Sequence, residues 1–361
     1  MSGYVGRLAP SPTGALHLGN VRTFMIAWLR ARSQGGKVIF RMEDLDHPKD
    51  KPGAAAQAVE DLKWLGFDWD EEYVQSERKA IYRAALEALR NQTIKQSGNR
   101  TIPPVYPCVC SRRDVEAAQS APHAGEQLYY PGTCRGRFKS WAEAFSFLNQ
   151  HRGTETQREG GDALCLCASV LKKGVRNPCW RFRVPENSIV GFDDAFAGHY
   201  EQDVSRTLGD FPLARDEFGA GYTLACTVDD LLMGVTEVVR GDDLLPATPA
   251  QILLAKALMP FLNKHRGTET QREEGDALCL CASVLKYCHV PLVVGRDGKR
   301  LAKRHGDTRI AAYREAGKSP EEILGLLAAS CGWAADGERV SLVDLIPRFD
   351  LATIPHAPFM I

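Results

Sequence analysis

The sequence predicts an α/β protein built around a doubly wound, Rossmann-type parallel sheet. A strand at Gly3 to Leu8 is followed by an apolar helix through Leu29 and a second strand at Lys37 to Met42. Helical patterns then continue at Ala54 to Leu65 and at Glu77 to Leu89. Polar residues follow both strands at their carboxyl ends, where ligands of such sheets bind, so a site is expected there.

The composition is that of an ordinary globular protein. With 361 residues, 44% of them hydrophobic, the chain can bury a sizeable core in two or three domains. Lys and Arg equal Asp and Glu at 45 each, so a nucleic acid would have to meet a local basic surface. No apolar stretch approaches the roughly 20 residues of a membrane span, and no secretory signal is recognisable, so we expect a cytoplasmic protein without a membrane partner.

An internal duplication is the most unusual feature of the sequence. Phe147 to Lys172 and Phe261 to Lys286 agree at all but two of 26 positions. Such near-identity between two distant segments favours a recent insertion into surface loops, which tolerate added length. Alternatively, each copy forms a hairpin that binds a ligand. Cysteines of the two copies would then form a four-thiolate metal site, or else alternate within a buried strand: Cys165, Cys167, Cys279 and Cys281.

Two segments have the residue types of a phosphate-binding site. A turn rich in Pro and Gly follows the first strand and leads to His17, Gly19 and Asn20 at the start of a helix. Backbone N–H groups and an imidazole can meet a phosphate chain there. Far downstream, a basic loop follows the apolar strand Val290 to Val294 and brings Lys303, a second phosphate ligand.

Several ordered motifs resemble the class I glutamyl-tRNA synthetases. The segment from Arg7 to Asn20, RLAPSPTGALHLGN, resembles their HIGH region, and RLAKR at Arg300 to Arg304 resembles their KMSKS loop. Asn20 replaces the second His of HIGH, and Ala302 replaces the Ser of KMSKS. Further matches follow in family order at Arg41 to Asp44, Gly221 to Asp230 and Val239 to Leu244, and outside the two copies the resemblance covers nearly the whole chain.

The resemblance implies ATP-dependent activation of L-glutamate. The family's glutamate-binding positions are matched by Arg7, Ser11, Glu43, Tyr222 and Arg240. Two arginines suit the two carboxylates of glutamate, and Glu43 suits its amino group. His17 and Lys303 are the expected catalytic residues. They would stabilise charge on the phosphates of ATP together with Gly19, Asn20 and Mg²⁺.

A zinc site is also expected. Cys108 and Cys110 are followed by Tyr130 and Cys134, which supply three sulfur ligands and a phenolic oxygen. The pattern resembles a zinc-binding insertion found in part of the family, where Tyr is a ligand. A full set of protein ligands leaves no open position, so the zinc would be structural. Alternatively, the three cysteines are reduced thiols in the core of a small subdomain.

The resemblance implies a synthetase catalytic domain with an inserted zinc-binding subdomain and a small helical C-terminal region similar to a stem-contact domain. Residues 1–100 and 201–260 are expected to form the two halves of the catalytic domain, and residues 101–200 the inserted subdomain with the first copy. Residues 261–361 hold the second copy, the KMSKS-like loop and the helical segment Pro320 to Cys331. We expect no anticodon-binding domain and a monomeric chain.

This organisation matches a shortened paralogue that attaches glutamate to the queuosine base in the anticodon of tRNA(Asp). Basic residues of the inserted subdomain are then candidate RNA contacts: Arg112, Arg113, Arg135 and Arg137. Two alternatives remain open. One is an ordinary glutamyl-tRNA synthetase that lacks its own anticodon-binding domain, and the other is an inactive protein that binds glutamate or tRNA.

We predict that Lys303→Ala strongly lowers activation while glutamate binding persists, because the lysine would contact only the phosphates of ATP. Glutamate-dependent exchange of pyrophosphate into ATP measures activation, and equilibrium dialysis measures glutamate binding. Unchanged exchange in the variant would exclude Lys303 from the reaction.

Overall fold

The computed structural model describes most of the chain. The described residues are 3–45, 51–96, 100–118, 129–150, 177–217, 219–269, 285–299, 301 and 308–361. Lys303 and the four cysteines of the two copies lie outside them.

Strands and helices alternate in the first part of the chain and again near its middle. The strands are β1 (Val5–Leu8), β2 (Lys37–Met42), β3 (Glu71–Val74), β4 (Ile94–Gln96), β5 (Arg100–Ile102), β6 (Val105–Cys108), β7 (Cys179–Phe182), β8 (Ile189–Asp194), β9 (Gly198–Asp203), β10 (Phe211–Ala214), β11 (Glu237–Gly241), β12 (Lys286–Val290), β13 (Val293–Val294) and β14 (Phe359–Met360). The helices are α1 (Leu18–Arg32), α2 (Ala54–Trp64), α3 (Lys79–Arg90), α4 (Arg112–Ala118), α5 (Trp141–Gln150), α6 (Val204–Thr207), α7 (Tyr222–Leu232), α8 (Thr248–Glu269), α9 (Ile310–Glu315), α10 (Pro320–Ala329) and α11 (Leu342–Leu345).

A parallel sheet forms the centre of the fold. Strands β1, β2 and β3 pair in parallel, and so do β11 and β12. The two sets adjoin where the backbone N–H of Thr236 donates to the carbonyl of Val5 at 2.9 Å. The two sheets have the orders β3-β2-β1 and β11-β12-β8-β9, with β1 beside β11; β12 and β8 are parallel, and β9 is an antiparallel edge strand. This confirms the predicted doubly wound α/β class.

Helices cover both faces of this sheet. Successive residues of β2 point to opposite sides, so Val38 and Phe40 join one apolar core and Ile39 joins the other. Helices α1, α2 and α10 contribute to the first core, whereas α3, α7 and α8 contribute to the second. The near-continuous apolar character of β2 follows from burial on both faces.

A smaller antiparallel sheet carries the cysteine-rich segment. Strands β6 and β10 both pair with β7. Helices α4 and α5 lie close to this sheet in the chain, and their buried residues Val115, Ala144 and Leu148 share a separate apolar cluster with Cys108 and Tyr130. The subdomain therefore has its own core beside the parallel sheet.

The strand predicted at Val290 to Val294 is two strands. Residue Val290 ends β12, and β13 is displaced to pair with β14 near the end of the chain. Pro291 interrupts the ladder because it has no backbone N–H to donate. Its carbonyl instead accepts from Arg22 Nη1 at 2.8 Å, and Arg22 Nε donates to Ser330 Oγ at 2.8 Å. Arg22 thus ties α1 to the C-terminal helices.

One helix is long and apolar enough to cross a membrane by length and composition alone. It spans Asp242–His265, 24 residues, and half of its apolar window is buried inside the protein. Leu254 and Leu258 are fully buried in the core shared with α3 and α7. These contacts are those of a core helix in a globular fold.

The structure revises the expectation of a surface insertion at the start of each copy. Phe261 and Leu262 begin the second copy and are buried within α8, with 5% and 2% of their surface exposed. Leu148 lies at the equivalent position of the first copy and is buried on α5. Both copies therefore begin inside core helices, because their first apolar residues continue the helical pattern of the preceding segment.

We predict that Leu148→Ala lowers the free energy of unfolding by about 2–5 kcal/mol, the usual cost of a cavity in a core. Asn149→Ala is the matched control, because Asn149 is the exposed neighbour on the same helix. Its effect should stay within about 0.5 kcal/mol. Urea unfolding measures both, and equal effects would mean that the first copy contributes nothing to the subdomain core.

Candidate active site and metal centre

The N-terminus of α1 lies at the carboxyl end of the parallel sheet, as its sequence predicts. His17 caps the helix: its Nδ1 accepts from the backbone N–H of Gly19 at 3.1 Å and of Asn20 at 3.4 Å. In turn, Asn20 Oδ1 accepts a hydrogen bond from the backbone N–H of His17 at 3.2 Å. Both side chains therefore hold the geometry of the helix terminus, where backbone N–H groups favour anions.

Gly19 allows a close approach at the same place. A Cβ there would come within 3.1 Å of the His17 ring and 3.5 Å of Val293 on β13. Backbone hydrogen bonds also join this helix terminus to the segment that follows the basic loop. The Leu18 N–H donates to the Thr308 carbonyl at 3.1 Å, and the Ile310 N–H donates to the Leu16 carbonyl at 2.9 Å. The residues that follow the segment containing Lys303 thus meet the start of α1 beside His17.

A network of buried charges lies at the ends of β1 and β2. Arg41 is fully buried and contacts Asp230 Oδ1 at 2.6 Å and Glu43 Oε1 at 2.9 Å. Although burial opposes its charge, these carboxylates raise the pKa of Arg41. Burial likewise opposes ionisation of Asp230, but Arg41 and then Arg7 hold the pKa of Asp230 below its usual range. Arg41 and Asp230 are therefore both charged at neutral pH.

This network orients Glu43. Its carboxylate accepts from Arg41 and from the Cys226 thiol at 3.2 Å, and its backbone N–H donates to the Pro10 carbonyl at 2.9 Å. The last contact brings the loop after β2 against the loop after β1, next to the exposed residue Ser11. Glu43 and Ser11 are thus adjacent, as expected of two residues in one site.

The two predicted arginines are buried on neighbouring strands. Arg7 Nη1 donates to the Val239 carbonyl at 2.7 Å, and Arg7 Nε lies 3.6 Å from Asp230 Oδ1. That Nε has no hydrogen-bond partner among the described residues. Arg240 lies on β11 and donates from Nε to His289 Nε2 at 3.0 Å. Each arginine side chain is therefore fixed by a hydrogen bond to a neighbouring strand.

The charges of other predicted residues act on Tyr222. Tyr222 is 44% exposed. The partial removal of its hydroxyl from water nevertheless raises its pKa, and Cys226 and Glu43 raise it further. The charges of Arg240 and Arg7 act in the opposite direction on the same hydroxyl. The charges of two cations and one carboxylate therefore act on an accessible phenol. Such an arrangement can bind a small molecule that carries both carboxylates and an ammonium group.

Sequence reasoning missed the residues behind Arg240. His289, Asp194 and Thr248 are buried and come from three separate segments. None of them belongs to a recognisable motif. One signal was available for His289, which is a polar residue within the apolar strand β12. Because buried polar groups need hydrogen-bond partners, such a residue indicates a polar contact in the core.

The predicted zinc ligands form a compact cluster. The sulfur atoms of Cys108, Cys110 and Cys134 all lie within 4.8 Å of one another, and all three residues are buried. The Tyr130 hydroxyl lies 3.3 Å from Cys108 Sγ and 3.8 Å from Cys110 Sγ. Gly209, with φ of +65°, permits this placement, because a Cβ there would come within 2.3 Å of the Tyr130 carbonyl oxygen.

The cluster fits zinc. Tetrahedral zinc with Zn–S bonds of about 2.3 Å requires sulfur atoms about 3.8 Å apart, and Cys110 Sγ lies 3.6 Å from Cys134 Sγ. Hydrogen bonds from Cys110 and Cys134, together with the charge of Arg181, lower the pKa of Cys108. Arg181 also donates to Cys108 Sγ at 3.2 Å and lies over the Tyr130 ring. Cys179, which the sequence analysis did not select, faces Cys108 across the β6–β7 pair.

The predicted RNA-binding arginines differ in their surroundings. Arg135 forms a bidentate pair with the buried Asp210, and Arg137 lies over the rings of Phe138 and Phe147. Arg112 is highly exposed and pairs with Glu116, one turn later on α4. Arg135 therefore holds the subdomain together, whereas Arg112 offers its charge to solvent.

We predict that Cys134→Ala retains less than about a tenth of the zinc bound by the parent chain, because tetrahedral sites need their full ligand set. Cys331→Ala is the control, since Cys331 is also a buried free thiol but belongs to a different core. Plasma mass spectrometry of the purified proteins measures zinc. Equal zinc in the two variants would contradict a metal centre at this cluster.

Comparison with other proteins identifies related sequences along the whole chain. The family model for the catalytic domain of class I tRNA synthetases (E and Q) matches residues 5–97 and 148–273. A glutamyl-Q tRNA(Asp) synthetase of Symbiobacterium thermophilum is 41% identical over 99% of this chain and 95% of its own length. One of Rhodopirellula baltica is 39% identical over 100% of the chain and 97% of its own length.

Longer relatives share the same region. A glutamate–tRNA ligase of Aquifex aeolicus is 35% identical over 99% of this chain, which covers 64% of that ligase. The crystal structure of a glutamate tRNA ligase from Elizabethkingia meningosepticum, in complex with its amino acid, superposes with a TM-score of 0.68 at 26% identity. The superposition covers 100% of this chain and 67% of the chain of that ligase. The chain belongs to the class I tRNA synthetases of the glutamate and glutamine family.

Proposed function

We propose that this chain activates L-glutamate with ATP and transfers it to the queuosine base in the anticodon of tRNA(Asp). The observation that carries the proposal is similarity to glutamyl-Q tRNA(Asp) synthetases over 99% of the chain at 41% identity. The placement of Arg7 and Arg240 on adjacent strands, with Glu43 linked to Arg7 through Arg41 and Asp230, supports glutamate as the amino acid.

In this proposal the site binds all three charged groups of glutamate. Arg7 and Arg240 each bind one carboxylate, and Glu43 binds the ammonium group. Ser11 and Tyr222 add hydroxyl hydrogen bonds that fix the orientation. Because Arg41 and Cys226 already hold the Glu43 carboxylate, little freedom is lost when the substrate binds.

Activation requires no nucleophile from the protein. A carboxylate oxygen of glutamate attacks the α-phosphorus of ATP, the bond to the β-phosphate oxygen breaks, and pyrophosphate leaves. The chain contributes position and charge. The N-terminus of α1, whose first N–H groups at Gly19 and Asn20 are capped by His17, would attract the phosphates through the helix dipole, and Lys303 would neutralise the leaving group. Mg²⁺ would enter with ATP and bind mainly through phosphate oxygens.

In the second step a nucleophilic group of the queuosine base attacks the acyl carbon, and AMP leaves with the bonding electrons. Zinc held by Cys108, Cys110, Tyr130 and Cys134 would be structural and would fix the loop between β6 and α5. Exposed basic residues of that subdomain, such as Arg112, would meet the RNA backbone. We place the reaction in the cytoplasm, where ATP and tRNA occur, and expect a monomer.

A second candidate is ordinary aminoacylation of tRNA(Glu). Similarity to the glutamate–tRNA ligase of Aquifex aeolicus, at 35% identity, favours it. Both candidates share the activation step, so the identity of the RNA is what distinguishes them.

The test is transfer of labelled glutamate to three RNAs in the presence of ATP: tRNA(Asp) with queuosine, unmodified tRNA(Asp) and tRNA(Glu). We expect label only on the first. Label on tRNA(Glu) would establish ordinary aminoacylation. Glutamate binding without any label or pyrophosphate exchange would indicate an inactive binder.

A further inference from the structure

The guanidinium group of Arg240 is fixed by two side chains that lie behind it. Its Nε donates to His289 Nε2 at 3.0 Å, and its Nη2 donates to Thr248 Oγ1 at 2.7 Å. Arg240 and His289 are direct partners in the register of the parallel pair β11–β12. Since a guanidinium carries five N–H donors, these contacts leave as many as three for a ligand.

The first of these side chains, His289, is itself held by a buried carboxylate. His289 Nδ1 lies 2.6 Å from Asp194 Oδ2, and both side chains are fully buried. Asp194 also accepts the backbone N–H of His289 at 3.0 Å and that of Ala197 at 2.8 Å. The carboxylate at the end of β8 is therefore anchored by backbone groups before it meets the imidazole.

The hydrogen bonds determine the tautomer of His289. Arginine can only donate, so His289 Nε2 must present its lone pair to Arg240, and the ring proton must be on Nδ1, facing Asp194. Burial lowers the pKa of His289 and outweighs the opposing effect of Asp194, in agreement with a neutral ring. A neutral imidazole is thus an acceptor aimed at the guanidinium.

We propose that Asp194 and His289 are positioning residues that orient Arg240 toward a carboxylate of the bound glutamate. This inference rests on the proposed function and adds to it. The chain from Asp194 through His289 stops rotation of the guanidinium about its long side chain, and Thr248, whose hydroxyl also lies 3.1 Å from His289 Nε2, holds a second N–H of the same group. Binding then costs less entropy, because Arg240 is already ordered before the ligand arrives.

Two substitutions of His289 separate its two hydrogen bonds. The Gln side chain in His289→Gln can place an acceptor near the position of Nε2. The shorter Asn in His289→Asn can replace only the Nδ1 donor to Asp194. We expect His289→Asn to raise the KM for glutamate about ten to a hundredfold, as misplacement of a binding group does. The KM for ATP should change less than about twofold, and His289→Gln should recover much of the loss.

The assay is glutamate-dependent pyrophosphate exchange with the full chain, with melting temperature measured for each variant. Cys288→Ala is the matched control, because Cys288 is the fully buried neighbour on β12 that belongs to the opposite core. Thr248→Val is a second test that keeps the shape of the side chain and removes the hydroxyl, which contacts Arg240 at 2.7 Å, His289 Nε2 at 3.1 Å and the Leu244 carbonyl at 3.3 Å. It should also raise the KM for glutamate selectively.

An equal KM for glutamate in His289→Asn, Thr248→Val and Cys288→Ala would overturn this inference while leaving the proposed function intact. Equal increases in both KM values, in step with lost thermal stability, would also overturn it, because the role would then be structural only. Absence of exchange in the parent chain would overturn the proposed function itself.

Discussion

The buried ion pairs of Arg41 are the interaction on which the site depends. Arg41 has no exposed surface and lies between Asp230 and Glu43, with Asp229 nearby. Removing one member of such a group leaves a buried charge uncompensated, which typically costs about 3–5 kcal/mol. The same pairs join the end of β2 to α7. The fold and the orientation of Glu43 are therefore maintained by one set of contacts.

Asp229 extends this network into the helical layer. Its carboxylate accepts from Gln75 at 3.0 Å, Arg78 at 2.9 Å and Tyr82 at 2.7 Å. Two adjacent aspartates on α7 thus serve different elements: Asp230 faces the strands, and Asp229 faces the segment that leads into α3. Rigid support of this kind keeps binding groups in place when the ligand itself is small.

The sequence predicted the fold class and the first elements well, because their patterns are local. Strand β1, helix α1 and strand β2 lie within a few residues of their expected positions. The spacing of the three cysteines indicated a metal site, the family resemblance added Tyr130, and the four side chains meet in space. His289 stood out as a polar residue within an apolar strand, but its contact with Arg240 and those of Asp194 and Thr248 could not be predicted, since only the tertiary fold brings these separated residues together. Pro291 could be seen in the sequence. That it separates β12 from β13 could not be predicted, because β13 pairs with β14 near the end of the chain.

Recognition of glutamate by paired arginines is the central claim, and calorimetric comparison of glutamate with glutamine tests it most directly. Glutamine has nearly the same shape but leaves one buried arginine without its carboxylate. We predict that glutamine binds at least about a hundredfold more weakly, because unpaired polar groups in a built site are costly. Equal affinities for the two amino acids would contradict the assignment of Arg7 and Arg240 to the two carboxylates.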